Sequence, residues 1–389
     1  MKYNFDEIVP RHGTDCAKYD SIAARGRPAD TLPLWVADMD FRCPPEVSAR
    51  LVELARDGVF GYPDPGDKYF QAVRNWLAGR FGYEPEPEWL IRTPGVVFAV
   101  AAAIRALTGP GDAVLIQEPV YHPFAHLINN NGRQMVNNPL VCENGRYRMD
   151  FEDFEKKIID RRVKMFILCS PHNPVGRVWK REELAKVAEI CLRHQCLVVS
   201  DEIHCDFVRP GHRHLVLPTV APELGASAVI CTAPSKTFNL AGLQAANIFI
   251  ADTDLRGKFQ AAMGRAGYHS LNNMGLAACQ AAYEHGADWL EQLKTYLEGN
   301  LEYLKGALAG LPGLKIVEPE GSYLIWLDFR ELGLNPGDLE ELISRRARLW
   351  LDEGPKFGLG GQGFYRLNSA CPRALLREAL ERLKAVWPR

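Results

Sequence analysis

Lys236, Asp201 and Asn173 are the residues from which chemistry can be read. Lys236 lies where an apolar run ends in AVICTAPSKTFNLAG (228–242), Asp201 closes the run LVVSD, and Asn173 follows the run in FILCSPHNPVG (166–176). If the three runs are parallel strands, their carboxyl ends open into one crevice, where α/β proteins bind ligands. An amine, a carboxylate and an amide gathered there suit a cofactor with an aldehyde, a basic ring nitrogen and a ring oxygen. Pyridoxal phosphate has all three: the lysine bonds the aldehyde and the aspartate keeps the ring nitrogen protonated. Pro234 and Phe238 flank Lys236 and argue for burial. Burial lowers an amine pKa and leaves a neutral base able to take a proton. Each residue also has a plainer role, as a solvated lysine, a helix cap at Asp201 or a turn residue before Pro174. The combination is what favours chemistry.

Other residues fit the same picture with less specificity. Gly95 in TPGVVFAV stands between a strand-like IRT and a helical run, so the amides of Val96 and Val97 can face a phosphate at a helix N-terminus. Ser235 can donate to the same group. Tyr121 in EPVYHPF can stack on a flat ring, although alone it reads as a core aromatic. Arg366 in YRLNSACPR can clamp a carboxylate in bidentate fashion, with Arg373 as a competing candidate at a helix start.

The elements that would position these residues alternate from about residue 46. PEVSARLVELARDG, DKYFQAVRNWLAGRFG, VVFAVAAAIRALTG and REELAKVAEICLRHQ have helical periodicity. DAVLIQEP, VKMFILCS, CLVVSDE, SAVICTAPS and AANIFIAD read as strands. The expected fold is α/β, a large domain over 46–285 with a mostly parallel central sheet. A long amphipathic helix within GADWLEQLKTYLEGNLEYLKGALAGL leads into a smaller α+β domain over 286–389. Residues 1–45 form an N-terminal segment associated with that smaller domain and the substrate site. GYPDPG and GLGGQG are short enough to be functional loops.

Composition narrows the function. The chain has 389 residues, 47% of them hydrophobic, with 46 basic and 48 acidic side chains and net charge −2. That balance gives no field for nucleic acid or an anionic membrane surface. The ten cysteines contain no CxxC pair; Cys169, Cys231, Cys191 and Cys279 read as small buried hydrophobes. No metal site is expected, and His212 and His214 in RPGHRHL read as a polar loop. No signal-peptide stretch or membrane-length run is visible, so the expected location is cytoplasmic.

The order PGVV, EPVY, HNPVG, SDEIH, APSKTFNLAGL and YRLN, spread over nearly the whole chain, resembles the fold-type I pyridoxal phosphate enzymes of the aspartate aminotransferase superfamily. PLWVADMDF (33–41), GYPDP (61–65), SDEIHCDF (200–207) and SKTFNLAGLQAANI (235–248) resemble its MalY/PatB-like cystathionine β-lyase branch. The resemblance implies that Lys236 bonds the cofactor, Asp201 pairs with the pyridine nitrogen, Asn173 contacts the ring oxygen and Tyr121 stacks on the ring. It places Gly95, Val96, Val97, Ser235 and His204 around the cofactor, and Trp35, Asp38 and Arg366 at the substrate, with Arg366 on the α-carboxylate. It sends Tyr62 to the phosphate of a neighbouring subunit, which implies a homodimer with shared sites. His204 replaces a tyrosine, and Gln244 an arginine, of many aminotransferases. Both departures resemble the lyase branch and favour carbon–sulfur β-elimination of cystathionine or a related cysteine thioether. The alternatives are an aminotransferase on the same scaffold and a cofactor-loaded regulatory protein acting through a protein partner.

Overall fold

The computed structural model describes residues 2–388. Seven strands form the large sheet: β1 (Leu90–Thr93), β2 (Ala113–Ile116), β3 (Gln134–Asn137), β4 (Val163–Cys169), β5 (Leu197–Asp201), β6 (Ala228–Thr232) and β7 (Ala246–Phe249). Their order is β1-β7-β6-β5-β4-β2-β3. Only β7 runs against its neighbours, so the sheet is mostly parallel, as the alternation of helix and strand predicts. The reversal at β7 has a local cause. The connection 233–245 holds a one-turn helix at Pro234–Thr237 and never crosses a face of the sheet, so the chain returns antiparallel.

The strands read as continuous apolar runs because both faces are covered. Alternate residues enter two separate cores. Leu115, Phe166, Leu168 and Val198 face one; Val114, Ile116, Met165, Ile167 and Val199 face the other. The second core is sealed by the Val96–Leu107 helix, whose sequence VVFAVAAAIRAL is apolar on nearly every side and buried accordingly. Several elements fall outside the runs read from the sequence, among them the amphipathic, Asp150-capped helix Phe151–Asp160. The edge strand β3, the hairpin of Val141–Glu143 with Arg146–Arg148, and the helices Pro123–Asn130, Thr253–Arg265 and Asn273–His285 are short, partly polar or rich in small residues.

A third core belongs to an antiparallel sheet of Lys315–Ile316, Leu324–Asp328, Phe364–Asn368 and Asp352–Glu353, covered by the Arg373–Val386 helix. The Ala287–Leu308 helix joins the cores. Trp289, Leu290, Leu293 and Leu297 enter the first, while Leu301, Leu304 and Leu308 enter the third. The N-terminal segment crosses the same boundary. Leu32–Pro33 pairs in parallel with Leu349–Trp350, while Phe5 packs on Phe41, Trp289 and Tyr296.

At the changeover in the long helix sits Asn300, fully buried. Its amide donates to the carbonyls of Ser369 (2.8 Å) and Cys371 (2.9 Å) and accepts from Arg373 Nε (2.6 Å). Arg373 is thereby committed to the fold. Replacing Asn300 with leucine strips the Cys371 carbonyl of this donor, while the Ser369 carbonyl keeps the Cys371 amide (3.0 Å), a loss of about 1–3 kcal/mol for a buried group left unpaired. Urea unfolding of Asn300→Leu is expected to show a loss of that order, and a midpoint equal to wild type would refute the role given to this amide.

Candidate active site

Register brings the strand ends together. Cys169 pairs with Asp201 across β4 and β5, and Asp201 with Cys231 across β5 and β6. The period-two alternation then turns Asp201 to the face sealed by the Val96–Leu107 helix, and Ser200 to the opposite face, where its hydroxyl donates to Glu202 (2.8 Å). Five strands deliver their carboxyl ends to one cavity of about 470 Å³. β1 supplies Gly95, Val96 and Val97; β2 supplies Tyr121 and His122; β4 supplies Cys169 and Asn173. β5 supplies Asp201 and His204, and β6 supplies Ser235 and Lys236. Gly95 has φ +115°, a conformation open to glycine, and this turn aims the first amides of the following helix at the cavity.

Burial sets the electrostatics. It lowers the Lys236 amine to about 8, against the pull of Asp38 and Asp201. The Lys236 amine donates to the carbonyl of Ala37 (3.2 Å), which also accepts from Tyr323 Oη (2.8 Å). Burial likewise raises the Asp201 carboxyl to about 7; its hydrogen bond from the Ile203 amide (3.2 Å) opposes the shift only in part. His204 is held neutral, its pKa pushed down to about 3 by burial with help from Lys236 and Arg366, and its Nδ1 lies 3.3 Å from Ser322 Oγ. The Tyr121 phenol is raised to about 12 by burial and by Asp201.

The smaller sheet and the N-terminal segment close the cavity. Arg366 is buried, and its guanidinium donates to Asp352 (2.6 Å), to the carbonyl of Trp35 (2.9 Å) and to Asn173 Oδ1 (3.0 Å), leaving Nε without a protein partner. Trp35, Val36 and Ala37 line the cavity, and the Trp35 ring stacks on Trp350 at 4.3 Å. The GLGGQG segment braces the loop that carries Tyr121. Val120 donates to the Phe357 carbonyl (3.0 Å) and Leu359 to Glu118 (3.0 Å). Gly358, at φ +94°, leaves no room for a side chain against Glu118.

Two expectations need correction. Asp38 is not a wall of the cavity; its carboxylate pairs with Arg11 (2.5 Å), beside the buried Lys18–Asp40 pair (2.7 Å) that anchors the N-terminal segment. The segment Trp35–Ala37 faces the cavity, while the Asp38 carboxylate is held to its side by Arg11 and acts on Lys236 only as a nearby charge. Tyr62, which the resemblance sends to a neighbouring subunit, lies outside the cavity of its own chain and is fully exposed, at 102%. His214 lies in a loop, as expected, but is not solvated there: it is buried, with Nε2 2.8 Å from Glu202. His122 and Asp352 also line the cavity and carry no signal of their own in the sequence. His122 adjoins Tyr121, so its neighbour was a signal; Asp352 becomes visible only through its strand register with Arg366.

The cavity suits pyridoxal phosphate on its own evidence. Asp201 is a buried carboxylate whose sole hydrogen bond comes from one backbone amide, and a protonated ring nitrogen is the counter-charge it lacks. A glycine-opened helix N-terminus and Ser235 offer donors for a phosphate, and Lys236 offers an amine in the same space.

A family model described as aminotransferase class I and II matches residues 29–383. Cystathionine beta-lyase PatB of Bacillus subtilis is 45% identical over 98% of this chain and 99% of its own length. The structure of cystalysin from Treponema denticola, which contains a pyridoxal 5'-phosphate cofactor, superposes with a TM-score of 0.96 at 36% identity, covering 99% of each chain. The pyridoxal phosphate-bound C–S lyase from Staphylococcus hominis gives 0.93 at 30% identity, covering 100% of this chain and 98% of the other.

Asp201 makes stability depend on pH in a definite direction. A raised folded-state pKa means that the native protein holds a proton the unfolded chain releases from about pH 4 upward. Stability is therefore lost as pH rises through about 7. Thermal melts of cofactor-stripped protein are expected to decline across this window, and less steeply for Asp201→Asn. Parallel profiles would show that this carboxyl is not desolvated.

Proposed function

The chain belongs to the aminotransferase class I and II family, and on that footing we propose how it acts as a pyridoxal phosphate-dependent carbon–sulfur β-lyase. The substrate is a cysteine thioether such as cystathionine, and the products are a thiol, pyruvate and ammonia. The observation that carries the reading is the convergence of Lys236, Asp201, Asn173, Ser235 and the buried Arg366 on one cavity, where burial shifts the amine and the Asp201 carboxyl in opposite directions.

When bound, the cofactor supplies an aldehyde that captures the substrate amine and a protonated ring that accepts the electron pair from Cα. Asp201 holds the proton on the ring nitrogen. Asn173 bonds the ring oxygen, Tyr121 stacks on the ring, and Ser235 with the amides of Val96 and Val97 receives the phosphate. Arg366 grips the α-carboxylate through its free N–H groups, which fixes the Cα–H bond for removal. Lys236, with a pKa lowered to about 8, takes that proton at Nζ. The carbon–sulfur bond at Cβ then breaks, its electron pair leaves with the thiolate, and the three-carbon aminoacrylate, once released, takes up water to give pyruvate and ammonia. An aminotransferase would instead return the proton to the cofactor. The lyase reading is preferred because His204 and Gln244 stand where many aminotransferases carry tyrosine and arginine.

Two copies form the working unit in this proposal. Val59, Phe60 and Tyr62 project from the loop after the Pro45–Asp57 helix with 81%, 61% and 102% exposure. An apolar loop this exposed suits a partner surface, and it would carry Tyr62 to the neighbouring phosphate. A cytoplasmic location accords with ten cysteines that are all free. No helix among the described residues is long and apolar enough to cross a membrane.

The test is release of pyruvate and free thiol from L-cystathionine by the cofactor-loaded protein. Equal amounts are expected. Lys236→Ala is expected to reduce the rate by about 10²–10⁴-fold, the usual contribution of a positioned base. An undiminished rate would refute this role for Lys236, and formation of a keto acid with pyridoxamine phosphate in place of pyruvate would support transamination. In sedimentation the protein is expected to run as a dimer, which Tyr62→Ala leaves assembled but weakened in cofactor affinity. A monomer active on its own would overturn the shared site.

A further inference from the structure

Once the proposed roles are assigned, two side chains lining the cavity keep a ring nitrogen without a partner among the described residues: Trp35, whose Nε1 is sealed inside the protein, and His122. Asp201, Asn173, Ser235, Lys236 and the helix amides are matched to the cofactor. Arg366 is matched to the α-carboxylate, Asp352 is spent on Arg366, and His204 faces Ser322. Gln244 is exposed at the rim. Of the two, only His122 has a ring nitrogen that is not sealed. It lines the cavity half-buried, and neither ring nitrogen has a hydrogen-bond partner among the described residues.

The surroundings of His122 fix which end of the cavity it serves. Its ring stands at right angles to Phe357, with centroids 5.9 Å apart, and the Arg366 guanidinium lies 4.9 Å over that same Phe357 ring. His122 is therefore a neighbour of the carboxylate clamp, at the substrate end of the cavity. The polar side of the ring is also fixed. Nδ1 is sealed inside the protein without a partner, whereas Nε2 is not sealed. A buried N–H with no acceptor is the less tolerated state, so the proton sits on Nε2, which then offers a donor to a ligand. Burial lowers the His122 pKa and Arg366 adds to that, against Asp352, so the ring is neutral at pH 7.

We infer that His122 is a specificity-determining residue whose Nε2–H binds a hydrogen-bond acceptor, a carboxylate foremost, on the group attached to the substrate sulfur. This rests on the lyase reading and names the substrate class within it: cysteine thioethers with a polar, acceptor-bearing distal end. A site that hydrogen-bonds one substituent discriminates against substrates lacking it, because the site's own donor is then left unpaired.

The experiment compares L-cystathionine, which carries a distal carboxylate, with S-ethyl-L-cysteine, which carries none, on the cofactor-loaded enzyme. The readout is the ratio of their kcat/KM values. For His122→Phe, which keeps a flat ring and removes the donor, the ratio is expected to fall about 10- to 100-fold, the span of a hydrogen bond to a charged group. His122→Leu should give the same fall through a second apolar replacement. His122→Gln keeps an N–H of similar reach and should hold the ratio within about threefold of wild type. A ratio unchanged in both apolar variants overturns the assignment, as does an equal fall in all three. The Kd of each amino acid, read from the cofactor's visible absorbance, gives the same ratio without turnover. Binding selectivity that follows His122 with no pyruvate formed would sink the lyase reading alone. Pyruvate formed with no dependence of the ratio on His122 would sink the specificity role alone.

Discussion

A guanidinium taken out of water is costly unless its charge and its N–H groups are met, and Arg366 is buried. Its partners come from three parts of the chain: Asp352 from the neighbouring strand, Trp35 from the N-terminal segment and Asn173 from the loop after β4. None of these alone would satisfy it. The cavity therefore closes only when the smaller sheet, the N-terminal segment and the large sheet meet in one arrangement. The bonds that settle the arginine also hold it where an incoming carboxylate can reach the N–H groups left over.

The same exclusion of water explains the poise of the acid and the base. Lys236 and Asp201 occur on loops or strand ends fed by apolar runs, and desolvation is the leading cause of both shifts. The lowered amine and the raised carboxyl each lose their usual preference for charge, which is where a proton acceptor and a partner for a cationic ring need to stand. Rigidity comes from the periphery. The Gly-rich loop braces the Tyr121 segment through Val120 and Leu359, and the Arg11, Lys18, Asp38 and Asp40 cluster ties down the backbone that contributes Ala37. Residues at some remove from the cavity thus decide where its walls stand.

Much of this was readable beforehand, for an identifiable reason. Strands buried on both faces appear as unbroken apolar runs, and a polar residue at the end of such a run is conspicuous. Lys236, Asp201 and Asn173 stood out on that ground, and the structure brings them to one cavity. Residues whose role depends on register or on side-chain direction did not stand out. Asp352 matters because its strand lies beside that of Arg366. Asp38 reads as a wall residue, yet an ion pair with Arg11, 27 residues away in the chain, holds its carboxylate outside the cavity wall. His214, in what reads as a polar stretch, is buried against Glu202.

The sequence by itself determined the succession of helices and strands, the mostly parallel sheet and the residues at its strand ends, because these follow from local periodicity and from apolar runs that only a doubly covered sheet can bury. Tertiary structure decided which side chains meet at the cavity and behind its walls: Tyr323 with Lys236 on one carbonyl, His122 beside the carboxylate clamp, Asp352 under Arg366. Those pairings join residues far apart in the chain. Their energies depend on distance and burial, and neither is written in the order of the residues.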